Sequence, residues 1–436
     1  MLERLSAILK NTREITGFKI IAVEEEAEEF FLIGKELDMD RIKQVRHFLV
    51  TVYKDFAEHG NRFKGSATVR IHPTMDDAEI RQAVAETAFA AGLVKNPFYP
   101  LVRPAAGAVA TAPVRNTGKP VSRGFAAMAE LLFPPNGWDA ADLNSAEIFL
   151  TRSVVRVVNS EGVDLTQRSY RGQLEFITVS RNAGEEVELY RDLKFAELKP
   201  EVFKEKIGEM FRLAGEKALA VPTPALRVHT VLLSGEPVRE FFQYYYMQTA
   251  ARSAYEGIST FKPGQSIQGE RVKGDRIHME LDPWLADSAE SAGFDEDGFL
   301  LEKAEIIRDG HFIRYWGDQR HSHYMGVTPT GSIRNMIIRG GERTAATLKS
   351  EPHLELLAFS DFQMDPVTGD FGGEIRLGRY FDGVKTIPVS GGSISGNIRA
   401  VQEEMYFSRE LQSENDFVGP RTVKLLNVSV TGAEGK

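Results

Sequence analysis

The chain has 436 residues, 42% apolar and 26% charged, with a net charge of -9 and no cysteine. That composition is ordinary for a globular protein, and the length predicts two domains rather than one core. The acidic balance argues against affinity for a phosphate backbone or an anionic membrane surface, and the missing cysteine removes disulfides, thiol nucleophiles and thiolate metal ligands.

Taken in order, residues 2–11 predict an amphipathic helix with Leu2, Leu5, Ile8 and Leu9 on one stripe. Charges interrupt this stretch, so it does not read as a secretory signal. No apolar run approaches the roughly 18 residues of a membrane span, which predicts a soluble cytoplasmic protein. "FKIIAVEEEAEEFFLIGKEL" predicts two strands around an acidic turn. "DMDRIKQVRHFLVTVYKDF" predicts a helix running into a strand, and "FKGSATVRIHP" a strand stopped by Pro73. A helix follows in "TMDDAEIRQAVAETAFAAGLV", capped by Thr74 or Asp76. Residues 97–123, rich in Pro, Ala, Gly and Thr, predict a linker, and "GFAAMAELLF" another helix.

From Glu147 the pattern alternates, with turns at Asn159–Gly162 and Asn182–Gly184, which predicts an antiparallel meander. A helix starts at Pro200. "LRVHTVLLSG" predicts a strand leading into a helix, "REFFQYYYMQTAARSAYEG", that ends at Gly257. Helical spacing puts Phe242, Tyr245 or Tyr246, Thr249 and Ser253 on one stripe, the pattern of a core helix. After Gly264 short strands alternate with Gly-rich turns. The expected class is α+β: an N-terminal α/β domain with helices on a mainly antiparallel sheet, residues 1–222, then a β-rich sandwich or barrel-like C-terminal domain, residues 223–436.

Candidate chemistry is sparse. Of nine histidines, only His321 and His323 lie close together, and no H-E-x-x-H occurs. On a strand the two would share a face, as a metal clip requires, with His311 or Asp318 as neighbouring ligands. Serines in "GSIRN" and "GGSISGN" do not form G-x-S-x-G, and the second stretch reads as a turn. Asp365, Asp370 and Glu374 could hold calcium, though the run lacks the EF-hand pattern and reads better as a tight turn. "TPTGSIRN" sets Thr330, Gly331, Arg334 and Asn335 in one loop, where Arg334 could grip a carboxylate and loop amides a peptide backbone.

Several stretches, in order from about residue 147 to the end, together resemble the TldD/TldE (PmbA) family, whose members were earlier described as modulators of DNA gyrase. They are "VVNSEGVDLTQRSYRGQLEF", the 239–264 helix through "STFKPGQSI", "DGHFIRYWGDQRHSHYMGVTPTGSIRN", "DPVTGDFGGEIRLGRYFDGVKTIPVSGGSISGN" and "RTVKLLNVSVTG". The resemblance implies a pair of chains. TldD-type members are zinc peptidases with H-E-x-x-x-H on a central helix and a distal cysteine ligand; TldE-type members lack the metal motif. The heterodimer degrades or processes small unfolded peptides.

Matched without gaps from "STFKPG", the two histidine positions fall at Phe242 and Met247 and the glutamate at Gln243. The cysteine position falls at Phe407. None supplies the zinc chemistry, because glutamine cannot act as the general base. The resemblance therefore implies a zinc-free TldE-type chain with no catalytic residue and no cofactor of its own. Zinc is expected in a TldD-type partner. Asp318 matches the family's "D-x-Y-S-A-R", while the nearby histidines are local, so His321 and His323 stay open as a private metal site. Three functions follow as expectations: a non-catalytic peptidase subunit; a stand-alone hydrolase at His321/His323 with Asp318; and a binding module for gyrase or toxin–antitoxin partners. A homodimer is open in each, and direct nucleic-acid or membrane contact is expected in none.

Overall fold

The computed structural model describes residues 1–104, 115–121, 123–182 and 185–433. Their architecture is α+β, with helices on a mainly antiparallel N-terminal sheet and a β-rich, barrel-containing C-terminal half. No helix among the described residues is long and apolar enough to cross a membrane.

The N-terminal sheet runs in the order Asn96–Pro97, Asn61–Ile71, Glu36–Glu58, Gly17–Ile33, Asp142–Asn159, Asp164–Asn182 and Arg115–Thr117, with Glu185–Phe195 also on Asp164–Asn182. Two expectations fail here. The acidic stretch is no turn: Gly17–Ile33 is one 17-residue strand. Its glutamates are matched by neighbouring strands, Glu24 by Arg46 at 2.9 Å, Glu26 by Arg152 at 3.4 Å, and Glu29 by Arg41. Cross-strand opposite charges stabilise an extended pairing that five clustered carboxylates alone would disfavour. Nor is the next segment a helix: Glu36–Glu58 is a 23-residue strand whose Phe48, Val50 and Val52 alternate into the core. Its acidic start imitates a helix N-terminus, but the β-branched run and the sheet prevail.

Helices Leu2–Lys10 and Asp77–Ala91 cover one end of this sheet through Leu5, Ile8, Leu9, Ile80 and Val84. The second is capped by Asp76, not Thr74. The Asp76 carboxylate accepts the Glu79 N–H at 2.9 Å and Glu79 returns the bond, a capping box. Helices Phe125–Leu132 and Pro200–Lys217 cover the other end, around Phe176 and Phe211. The meander forms as expected. Its first turn is set by the Asn159 carboxamide, which accepts the N–H groups of Glu161 and Val163. Of the second expected turn, Ala183 and Gly184 lie outside the described residues, as do 105–114 and 122 of the expected linker. Arg115–Thr117 is a short strand, parallel to Gln167–Ser169.

In the C-terminal half, Arg227–Ser234, Thr422–Thr431, Ser393–Asn397, Asp370–Phe381 and His353–Met364 pair in sequence. His353–Met364 pairs back onto Arg227–Ser234, closing a five-stranded ring. "GGSISGN" is therefore a barrel strand; only Gly391 and Gly392, at φ +79° and +72°, make the turn. A six-stranded sheet, His311–Phe312, Ala304–Arg308, Met279–Leu281, Met336–Ile338, Phe417–Pro420 and Leu411–Glu414, stands apart from the ring. Between the two lies helix Pro237–Gln248. Phe241 meets Phe371 of the barrel, and Phe242 meets Phe417 of the second sheet.

Candidate functional site

Helix Pro237–Gln248 begins with proline in its first turn, where the missing N–H costs nothing. It stops at Gln248, where its last carbonyls are met by the neighbouring Thr249 and by the distant Trp316. Thr249 Oγ1 donates to the Tyr245 carbonyl at 2.8 Å, and Trp316 Nε1 donates to that of Tyr246 at 2.8 Å. The expected single helix to Gly257 is thus two, the second being Ala251–Tyr255.

One side of the first helix is core. Phe241, Phe242, Tyr244 and Tyr245 are fully buried. Each of the three consecutive tyrosines has a partner for its hydroxyl: Arg399 Nε donates to Tyr244 at 3.1 Å, while Tyr245 donates to Gln402 and Tyr246 to the Ile333 carbonyl, both at 2.8 Å. Burial raises the Tyr245 and Tyr246 phenols well above their ordinary range, so they act as neutral hydrogen-bonding groups.

The other side carries Arg239, Gln243 and Tyr246, spaced by four and three residues and therefore on one stripe. They line a cleft of about 450 Å³. Its remaining walls come from strand Glu185–Phe195 (Arg191, Asp192, Lys194), the Glu290 and Arg334 loops, and Glu414–Asp416. Charges there are paired. Arg239 binds Asp416 bidentately, with Nε–Oδ1 at 2.7 Å; Arg334 holds Glu290 at 2.8 Å; Arg191 bridges Glu236 at 3.0 Å and Glu414 at 3.1 Å. Burial opposes the charge of Arg191 and Arg239, but the facing carboxylates outweigh it and hold both guanidiniums above their usual range. Burial raises the Glu240 carboxyl, with the Arg239 charge working against it. Among the described residues the Gln243 carboxamide has no hydrogen-bond partner, which leaves it free to meet a ligand.

The positions matched to the family's zinc ligands do not fit a metal. Phe242 and Phe407 are buried rings in mutual contact, centroids 5.5 Å apart. Gln243 offers a neutral amide, and Met247 a half-buried thioether. These groups bring no imidazole and no carboxylate to the place where zinc would sit.

His321 and His323 lie on helix Gln319–Met325, not on a strand. Two residues apart on a helix, they point to different sides, which removes the shared-face clip. His321 is buried with Nδ1 2.8 Å from Asp318 Oδ2, while His323 is exposed. Asp318 caps this helix, accepting the His321 N–H at 2.7 Å. Burial raises the Asp318 carboxyl, but its two bonds to His321 lower it further, to a net depression. The segment clamps the two halves together: Tyr324 donates to the Pro97 carbonyl and Arg320 to Asn96, both at 2.7 Å. His311 sits on another strand, its ring against the Asp309 carbonyl. Among the described residues no three His, Asp or Glu side chains form a metal-binding group.

The "TPTGSIRN" loop splits. Arg334 faces the cleft. Asn335 is fully buried and bonded to Asp282, Ser288 and Ser291. Thr330 is buried and accepts the Gly317 N–H, and Gly331, at φ +73°, packs under Leu301. Asp365 accepts the N–H groups of Val367 and Thr368 and Asp370 accepts Asn397, so the Asp365–Asp370 run is a hydrogen-bonded turn. Sequence reasoning missed Arg239, Arg191, Glu290 and Asp416. The polar stripe on an otherwise aromatic helix was a signal for Arg239; the others approach from distant segments and carry none.

Residues 227–432 match the model of the PmbA/TldA metallopeptidase C-terminal domain. The whole fold is similar to the crystal structure of TldE from Thermococcus kodakarensis, with a TM-score of 0.77 and 15% identity, covering 99% of this chain and 100% of that one. It is also similar to a suggested DNA gyrase modulator from Bacteroides thetaiotaomicron, with a TM-score of 0.76 and 16% identity over 99% and 98% of the two chains. An uncharacterised protein of Methanocaldococcus jannaschii is 24% identical over 167 residues, a match spanning 36% of this chain and 40% of that protein. The C-terminal half of the chain, residues 227–432, therefore carries a PmbA/TldA metallopeptidase C-terminal domain, within a whole-chain fold similar to that of TldE.

Proposed function

We propose that this chain is the zinc-free, TldE-type subunit of a cytoplasmic peptidase pair acting on small unfolded peptides, with zinc and the chemical step in a TldD-type partner. The observation that carries the reading is the Phe242–Phe407 contact: two matched ligand positions are filled by rings that pack on each other. Gln243 then presents to the cleft a group of glutamate's shape that can donate and accept hydrogen bonds but cannot take a proton at neutral pH. With Arg239 and Arg334 beside it, the cleft suits a chain bearing amides and a carboxylate.

The test is reconstitution. Zinc-dependent hydrolysis of short peptides should appear only when this chain is mixed with a TldD-type chain carrying H-E-x-x-x-H. Stoichiometric zinc in this chain alone, or hydrolysis by it alone, refutes the reading; so does failure of the two chains to associate.

A further inference from the structure

A cavity of about 1060 Å³ opens between strand Glu185–Phe195 of the N-terminal sheet and barrel strand His353–Met364. Glu236 and Arg239 border it as well as the Gln243 cleft, but the rest of its wall is different. Leu189, Leu357, Phe359 and Phe362 give it an apolar side. Each of the five carboxylates on the wall has a partner of its own. Glu186 is paired with Arg181, Glu188 accepts from Asn144, Glu236 is paired with Arg191, Glu240 lies 3.7 Å from Arg239, and Asp361 accepts from Gln363.

Two of the three cations on the wall have no such match. Lys217 is only 9% exposed and donates to the Glu188 carbonyl at 2.8 Å, while Arg376 donates to Ser360 Oγ at 3.1 Å. Neither makes an ion pair among the described residues. Burial lowers the Lys217 amine from its ordinary value and the Arg376 charge lowers it further, against weaker opposing pulls from Glu188 and Glu374. A buried cation beside a second one, with no counter-charge, is costly, and an anion placed between them offsets both penalties. We propose that the Lys217–Arg376 end of this cavity is an oxyanion site, taking the carboxylate or phosphate of a small molecule whose apolar body lies against Leu189, Phe359 and Phe362. The remaining N–H groups of an ammonium and a guanidinium fork are the donors that either group needs. This inference does not rest on the zinc-free reading and concerns this chain alone.

Calorimetric titration of the full chain with benzoate and with phenyl phosphate, at low salt, tests this and tells carboxylate from phosphate. At least one of the two should bind with a dissociation constant of about 1 mM or tighter, and uncharged benzyl alcohol at least about tenfold more weakly. Arg376→Gln, at an exposed position, and Lys217→Met, which keeps the apolar stem, should each weaken that binding at least about tenfold with an unchanged circular dichroism spectrum. If Lys217→Met does not fold, Arg376→Gln alone decides. The proposal is overturned if neither anion binds the wild type at about 10 mM, if benzyl alcohol binds as tightly as the anions, or if binding is undiminished in Arg376→Gln.

Discussion

The Phe242 and Phe407 rings meet near edge-on, centroids 5.5 Å apart and planes at 71°, though 165 positions separate them in the chain. Phe242 also reaches Phe241, Tyr245 and Phe417, so one ring joins the central helix to a barrel-side strand and to the second sheet. What the family likeness marks as a ligand pair is here a structural pair.

Truncating either ring should therefore unfold rather than inactivate. Phe242→Ala and Phe407→Ala are each expected to cost about 3–5 kcal/mol, the usual range for a fully buried phenylalanine. Denaturant melts of the two single variants and the double variant test this; because the rings touch, the double variant should lose less than the sum.

Gln243→Glu restores the one carboxylate of the matched motif and should change little in zinc content. Metal analysis of the dialysed protein and a peptide-hydrolysis assay should match the wild type. The substitution places a negative charge beside Glu290 and Asp416 in the cleft, so a modest stability loss, about 1 kcal/mol or less, is the only expected effect.

Breaking the Arg239–Asp416 pair should weaken the cleft wall. Asp416→Ala leaves the guanidinium, now partly buried, without its bidentate partner, and about 1–3 kcal/mol should be lost. Asp416→Asn, which keeps one acceptor, should lose less, and the order of the two in a urea melt is the check.

Asp295 gives a pH dependence of unusual sign. Burial raises its carboxyl from 3.8 to about 6, the nearby Asp297 charge adding to this and three backbone N–H groups working against it. The folded state therefore holds a proton between about pH 4 and 6 that the unfolded chain has released. Stability should fall as pH rises through that window, by roughly 3 kcal/mol for two pKa units, and level off above it. Asp295→Asn should flatten this dependence while loosening the bond from the Ser332 N–H. Urea midpoints of both proteins at pH 5 and 7.5 decide the matter.

Local signals were legible where the residues concerned act on their own backbone. Asp76 and Glu79 spell a capping box, Pro200 marks a helix start, and Asn159 sets a hairpin turn, each through partners within four residues. The aromatic helix was legible for the same reason, since its core stripe is a matter of period. The strand Gly17–Ile33 was not. Its glutamates read as a turn until Arg41, Arg46 and Arg152 are placed beside them, and two of those lie on a strand that itself reads as a helix.

The candidate site divides in the same way. The sequence by itself determined that no thiolate ligand exists, that the matched histidine and glutamate positions are Phe242, Met247 and Gln243, and that the protein is α+β. Tertiary structure alone decided which of these side chains meet. It turned Phe242 inward to Phe407 and left Gln243 on the cleft, buried Asn335 and exposed Arg334 from one loop, and put His321 and His323 on opposite sides of a helix. The reason is physical: residue type sets what chemistry a group can perform, but which groups converge depends on loop closures and strand registers spanning a hundred residues or more, and no local propensity encodes those.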